Sequence, residues 1–226
     1  EERQDEKEEK KKEISKGQIF VEYVLKNPFV WLLALANIFV YVVRLGVATW
    51  VIFYANLALG HGVKESTVLL AAFEFSAMIG SLFLGWLSDR IKGRRMLVSG
   101  FVMLLTYIGV YYYSKADTMS ELLISMALCG FFIFGPQLLI GVSVVKFVPK
   151  KAVAVANGVT GTTAYILGDA LISKKILPIF VDKNSKEGWH KMFIIMFICI
   201  FIGALLMFIV AAQEEKRIRK EQALAN

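Results

Sequence analysis

Histidine and cysteine are almost missing from this sequence: 226 residues hold two of each. Cys129 and Cys199 stand in separate apolar stretches, with no Cys-x-x-Cys and no Cys/His spacing around them. That pattern excludes a disulfide framework and a zinc ligand set, and leaves two small packing residues. His61 and His190 fall at the edges of apolar stretches and read as loop residues. A phosphate-cradling Walker motif, a nucleophile beside a base and a pair of facing carboxylates are missing as well. The sequence therefore points to no enzyme, no catalytic residue, no resident metal and no cofactor.

Charge is missing from long stretches too. Blocks at 29–59, 67–88, 96–113, 119–145, 152–181 and 192–212 are nearly free of it. Each is long enough for a helix that crosses ~30 Å of hydrocarbon with ~20 residues. The chain is 57% hydrophobic with a mean hydropathy of +0.58, too oily for a soluble globular domain. Helices of a soluble bundle would also keep a polar face. The expectation is an all-α integral membrane protein with six spans. The third and sixth are the clearest. The fifth is interrupted by Asp169, Lys174, Lys175 and Pro178.

What is there besides apolar residues is mostly basic. The net charge is +7, which raises the question of a nucleic-acid partner. The distribution answers it. Of the 26 Lys and Arg, 18 lie in 1–28, 89–95, 146–151 and 213–226, and five in 58–66, 114–118 and 182–191. Basic-rich and basic-poor connections thus alternate, as in a membrane protein whose basic loops stay in the cytoplasm. The expected partner is the lipid bilayer and not nucleic acid, with both termini cytoplasmic. The opening EERQDEKEEKKKEISK cannot bury a core and reads as a solvated segment. No signal peptide is visible and the first residue is not Met, as in a fragment or a processed chain. The expected organisation is a charged lead-in over 1–27, a bundle over 28–212 and a basic tail over 213–226.

Three groups of residues stand out within this frame. GWLSDRIKGRR, residues 85–95, follows the second span. Gly85 permits close helix packing, and Asp89 can pair with an arginine or cap a helix. Arg90, Arg94 and Arg95 hold the loop at an anionic membrane face. In the first span Asn37, Tyr41 and Arg44 recur at i, i+4 and i+7, so they share one helix face. Arg44 lies ~22 Å along the helix from Phe29, too deep to reach an interface easily. A guanidinium at such depth must face protein, water or an anion. A substrate anion and a buried ion pair with Glu74 or Asp169 are both open at this point. In the fifth span Gly158, Thr162, Tyr165, Asp169 and Ser173 form a polar stripe, beside a small-residue stripe of Asn157, Gly161, Ala164 and Gly168. A cavity-lining helix looks like this, while close helix packing alone accounts for the glycines. The fourth span holds FGPQLLIG, residues 134–141, where Pro136 removes a backbone bond and Gln137 is polar at mid-span.

GQIFVEYVLKNPFVWLLALANIFVYVVRLG, GWLSDRIKGRR, FGPQLLIGVSVVKFVPKKA, GTTAYILGD and EEKRIRKE together resemble the organophosphate:phosphate antiporters of the major facilitator superfamily. The likeness covers 17–220 and runs to the second half of bacterial hexose-6-phosphate transporters and relatives that sense glucose 6-phosphate. It implies a bacterial inner-membrane protein of twelve spans in two six-helix halves, of which this chain is the second. Each half would contribute one arginine to a phosphate held at the midplane. Arg44 matches the second-half arginine, Tyr41 and Tyr165 match tyrosines near the phosphate, and Glu74 matches an acid of the second helix. Asp169 matches an acid that sets selectivity with a lysine one turn later. Here the positions one turn on are Ile172 and Ser173, and the lysines come at 174 and 175. Phe134 stands where some relatives have tyrosine. The implied activity is exchange of a sugar phosphate for inorganic phosphate by alternating access, with an N-terminal six-helix half as partner. A glucose 6-phosphate sensor and a glycerol-3-phosphate antiporter are the alternatives. Asn37, Tyr41, Arg44, Gln137, Tyr165 and Asp169 are the expected substrate contacts. Glu74, Asp89, Arg90 and Arg94 are the expected interface or gating residues.

Overall fold

Asn27 sets the start of the first long helix. Its side-chain oxygen accepts the N–H of Phe29 at 3.0 Å, and Pro28 follows in the first turn. An asparagine cap and a proline at the first helical position both favour initiation here. The computed structural model describes residues 16–91, 94–182 and 187–225. Residues 1–15 of the charged opening run and Lys92 and Gly93 of the basic motif lie outside the described residues.

The described chain is helical throughout. A short helix, α1 (Lys16–Phe20), continues as a wider π-wound turn, Val21–Leu25. Then come α2 (Pro28–Phe53), α3 (Val63–Arg90), α4 (Arg95–Lys115), α5 (Met119–Ser143), α6 (Val153–Thr163) and α7 (His190–Ala225). α2 extends through a π-wound segment, Tyr54–Ala58, and ends near Gly60, whose φ of 73° only glycine adopts without strain. Thr118 and Glu121 form a reciprocal capping box at the start of α5. α5 stays helical through Pro136.

Among the described residues five helices are long and apolar enough to cross a membrane: Pro28–Ala58, Val63–Arg90, Arg95–Lys115, Met119–Lys146 and Glu187–Lys216. The sequence reading expected six. The remaining run begins as α6, becomes π-wound over Ala164–Ile176 and closes as a tight turn over Leu177–Phe180. It is long enough to span. Its Asn, Thr and Gly residues and three charges keep it below the apolarity of the other five. α7 runs on past 212, the expected end of the last span, to Ala225, through residues that are mostly strong helix formers.

α2 is the hub of the bundle, packed against α7, α5, α3, α6 and the π-wound segment after α6. Around it α3 packs on α5, α5 on α4, and α4 on α7. The core therefore runs along α2, where Val40, Val42, Val43, Val47 and Val51 are buried. Trp50, Tyr54, Tyr113, Trp189 and Phe193 fill one end with edge-on ring contacts.

The basic connections meet at the other end. Asn27 donates to the carbonyl of Phe147 at 2.9 Å, and the Lys151 ammonium lies 5.3 Å from the centre of the Tyr23 ring. Arg94 reaches Glu215 through two nitrogens, at 2.8 and 2.9 Å. Glu214 is almost fully buried. It accepts from Lys146 Nζ at 2.7 Å and from the backbone N–H of Met96 at 3.2 Å. α4 has no side-chain cap of its own, so a carboxylate from α7 caps it from outside. A negative group there satisfies orphan N–H groups and the positive end of the helix dipole. Glu214→Ala is expected to destabilise the bundle by about 0.5–2 kcal/mol, the cost of losing a cap. A melt followed by circular dichroism in detergent checks it, and a melting temperature equal to that of the parent chain refutes the cap.

Candidate functional site

α2 carries Arg44 into the middle of the bundle, and α5 brings up what holds it. Arg44 Nη1 donates to Gln137 Oε1 at 2.7 Å, and Gln137 Nε2 donates to the Tyr41 hydroxyl at 3.1 Å. The guanidinium carbon lies 4.0 Å from the centre of the Phe134 ring and 5.9 Å from that of Tyr41. Phe134 and Gln137 sit three residues apart on α5 and Tyr41 and Arg44 three apart on α2, so each pair shares a helix face. Tyr165 closes the group, its ring edge-on to Tyr41 at 4.8 Å.

The ion pair that the sequence left open is not formed. Among the described residues Arg44 makes no salt bridge. Glu74 is exposed on α3 and, among the described residues, makes neither a hydrogen bond nor an ion pair. Asp169 pairs with Lys174 at 2.7 Å. Arg44 thus rests on a neutral amide and an aromatic face, and its Nε is buried without a partner. A partly buried cation with no counter-ion is costly, and an anion would relieve that cost.

Asn37 shares the helix face of Arg44 but serves a different contact. Its amide donates to the Thr160 carbonyl at 3.2 Å, and Trp50 donates to the Ser173 carbonyl at 3.1 Å. These two side chains of α2 bracket the π-wound segment. Between them Gly168 lets the helices close: a methyl there would lie 2.8 Å from the Ile38 carbonyl oxygen and 2.9 Å from Tyr41 Cβ. The small-residue stripe is realised at Gly168, whereas its Gly161 meets open space, as does Gly158 of the polar stripe.

The winding of this segment explains Asp169. Ordinary α-helical spacing places Ile172 and Ser173 one turn after it. In a π-helix the backbone bonds run i to i+5 and each turn is wider, which brings Lys174 round to the Asp169 face, where the ion pair forms. Sequence reading missed the pair because it assumed α-helical spacing throughout.

Asp89, Arg90 and Arg94 lie away from this group, at the end of the bundle where the basic connections meet. Asp89 faces Arg95 at 3.6 Å, Arg90 stacks 4.9 Å over Trp86, and Arg94 holds Glu215. They form contacts between or along helices. Next to Arg44 a groove of about 600 Å³ opens, lined by Phe134, Gln137, Leu138, Gly141 and Val142 of α5, by Ser81 of α3 and by Asn157 of α6, with Val145 just beyond α5. That volume suits a small ligand. The two side chains that hold Arg44 are therefore also walls of the groove.

Comparison with known proteins agrees with this architecture. The sequence matches the Major Facilitator Superfamily over residues 1–173. It is 41% identical to the hexose-6-phosphate:phosphate antiporter of Escherichia coli (strain K12), over 98% of this chain and 48% of that protein. The antiporter of the same name from Salmonella typhimurium is 40% identical, over 98% of this chain and 48% of its own length. A glycerol-3-phosphate transporter of Bacillus subtilis is 36% identical, over 81% and 42%. The chain thus spans about half the length of the curated relatives it matches. A helical bundle built to sit in a membrane, the basic sequence DRIKGRR between its second and third spans and a match covering most of the sequence lead to one assignment: the chain belongs to the major facilitator superfamily.

Proposed function

We propose that this chain forms one half of a secondary transporter that exchanges a sugar phosphate, hexose 6-phosphate, for inorganic phosphate by alternating access. Arg44 without a counter-ion, beside an open groove, is the observation that carries this reading. A planar fork of charged donors matches phosphate oxygens. Gln137 and Tyr41 keep the fork aimed while the site is empty, and phosphate oxygens replace the Gln137 carbonyl when it fills. Phe134 supports the guanidinium from one face and keeps water from it. An N-terminal six-helix half supplies the opposite wall and a second cation, and the halves rock around the bound phosphate. The protein sits in a bacterial inner membrane with both termini and the two basic connections in the cytoplasm. The clustering of those connections at one end of the bundle supports that orientation. Glycerol 3-phosphate is the alternative substrate, favoured by the Bacillus subtilis relative.

Counterflow tests the proposal. Proteoliposomes containing the chain and the half that completes it are loaded with inorganic phosphate and offered labelled glucose 6-phosphate. Uptake is expected to require internal phosphate and to stop when chloride replaces it. Uptake indifferent to internal phosphate, or binding with no uptake, overturns exchange, and the latter outcome identifies a sensor.

A further inference from the structure

The groove beside Arg44 has three polar side chains, Ser81, Gln137 and Asn157, on otherwise apolar walls. Two are already engaged. Gln137 is held between Arg44 and Tyr41, and the Ser81 hydroxyl donates to the Met78 carbonyl of its own helix at 2.9 Å. The Asn157 side chain makes no hydrogen bond among the described residues, and its Oδ1 is buried without a partner. Sequence spacing put Asn157 in the stripe that serves helix packing. A packing residue with an unsatisfied amide is a poor choice, because a buried polar atom without a partner costs free energy.

The wall opposite is a glycine. A side-chain carbon at Gly141 would lie in ordinary contact with Asn157 Oδ1, at 3.8 Å, so the glycine keeps the amide clear of a side chain from α5, and both residues line the groove. Gln137 and Gly141 are four residues apart on α5, hence ~6 Å along its axis. That step is comparable to the reach from a 6-phosphate to the hydroxyls of its sugar ring. We infer that Asn157 is a specificity-determining residue that binds the hydroxyl-bearing part of the organic phosphate, while Arg44 binds the phosphate. The inference rests on the reading of Arg44 as the phosphate ligand. An amide offers a donor and an acceptor, which neighbouring hydroxyls also offer, so the two match in pairs. Inorganic phosphate seated at Arg44 ends short of Asn157 and gains nothing from it. A site built to pair with hydroxyls discriminates strongly against a ligand that lacks them.

The test compares three ligands in the assembled, membrane-reconstituted protein: glucose 6-phosphate, methyl phosphate and inorganic phosphate. In Asn157→Ala the KM for glucose 6-phosphate is expected to rise about tenfold, the loss of roughly one good hydrogen-bond pair. Phosphate:phosphate exchange and competition by methyl phosphate are expected to stay within about twofold of the parent, since neither ligand presents a neighbouring hydroxyl. Asn157→Ser, which keeps a small donor and acceptor, is expected to recover part of the loss. An equal loss for all three ligands overturns the inference in favour of a packing role, and no change for glucose 6-phosphate overturns it outright. Phosphate:phosphate exchange that survives Arg44→Ala sinks the Arg44 reading separately.

Discussion

Arg44→Ala is expected to abolish phosphate exchange while leaving the bundle folded. Removing one member of a buried, hydrogen-bonded charge pair costs about 2–5 kcal/mol of binding. At about 1.4 kcal/mol for each factor of ten, affinity for phosphate falls roughly thirtyfold to several thousandfold. Arg44→Lys is expected to fall between the two. It keeps the charge but loses the planar fork and the Nη1 that donates to Gln137. Stability should move the other way. Among the described residues Arg44 has no counter-ion, its Nε is buried without a partner, and its support is Gln137 and the Phe134 ring. Replacing such a group with Met, an apolar side chain of similar reach, removes a desolvation cost. The melting temperature of Arg44→Met without ligand is expected to equal or exceed that of the parent, with exchange lost. A binding residue held at the expense of stability behaves this way. Initial rates of phosphate:phosphate exchange, read with a detergent melt of each variant, check both halves of the statement. Exchange within about threefold of the parent in Arg44→Ala would show that binding relies on other groups.

Much of this was legible in the sequence, because the signals involved are local. A lone arginine in a lipid-compatible stretch stands out by itself, and i, i+4, i+7 spacing put Tyr41 on its face, where both meet Gln137. Blocks of apolar residues marked the five spans, with a sixth that falls below them in apolarity, and the basic connections marked the loops that gather at one end. What could not be read was cross-helix or depended on winding. Gln137 was visible as a polar residue at mid-span, but its dual contact with Arg44 and Tyr41 needs the α2–α5 crossing. Asn37 looked like a third member of the Arg44 face. It turns instead to the Thr160 carbonyl, because the helix after α6 packs close enough at Gly168 to offer it. The Asp169–Lys174 pair was hidden by a change from α to π winding, which leaves no spacing signature. Asn157, Gly161, Ala164 and Gly168 looked alike as a small stripe, yet Ala164 and Gly168 are buried in the packing while Gly161 meets open space.

The largest structural effect is expected at two glycines that carry no chemistry. A methyl on Gly130 of α5 would fall on the carbonyl oxygen of Phe73 and on Ser76 Oγ, and one on Gly80 of α3 on the carbonyl oxygen of Phe131. In both cases the obstacle is backbone, which cannot rotate away as a side-chain tip can. α3 and α5 would have to separate. Overpacking costs typically 1–3 kcal/mol, and with a carbonyl in the path Gly130→Ala and Gly80→Ala are each expected near about 3 kcal/mol or above. The consequence reaches the site. Phe73 packs edge-on against Phe134 at 5.8 Å, and Phe134 is the ring under the Arg44 guanidinium. Separating α3 from α5 therefore moves the support of Arg44 as well as the wall of the groove. Gly158→Ala and Gly161→Ala supply the contrast. Nothing lies within 4 Å of a side chain at either position, so in this chain by itself the gain in helix propensity, about 1 kcal/mol, is the main effect. Melting temperatures that fall for Gly80→Ala and Gly130→Ala and hold or rise for Gly158→Ala and Gly161→Ala establish the α3–α5 contact as the close one. Four variants with similar melts would mean that the two helices do not pack backbone to backbone, and the Phe73–Phe134–Arg44 stack that depends on that contact would fall with it.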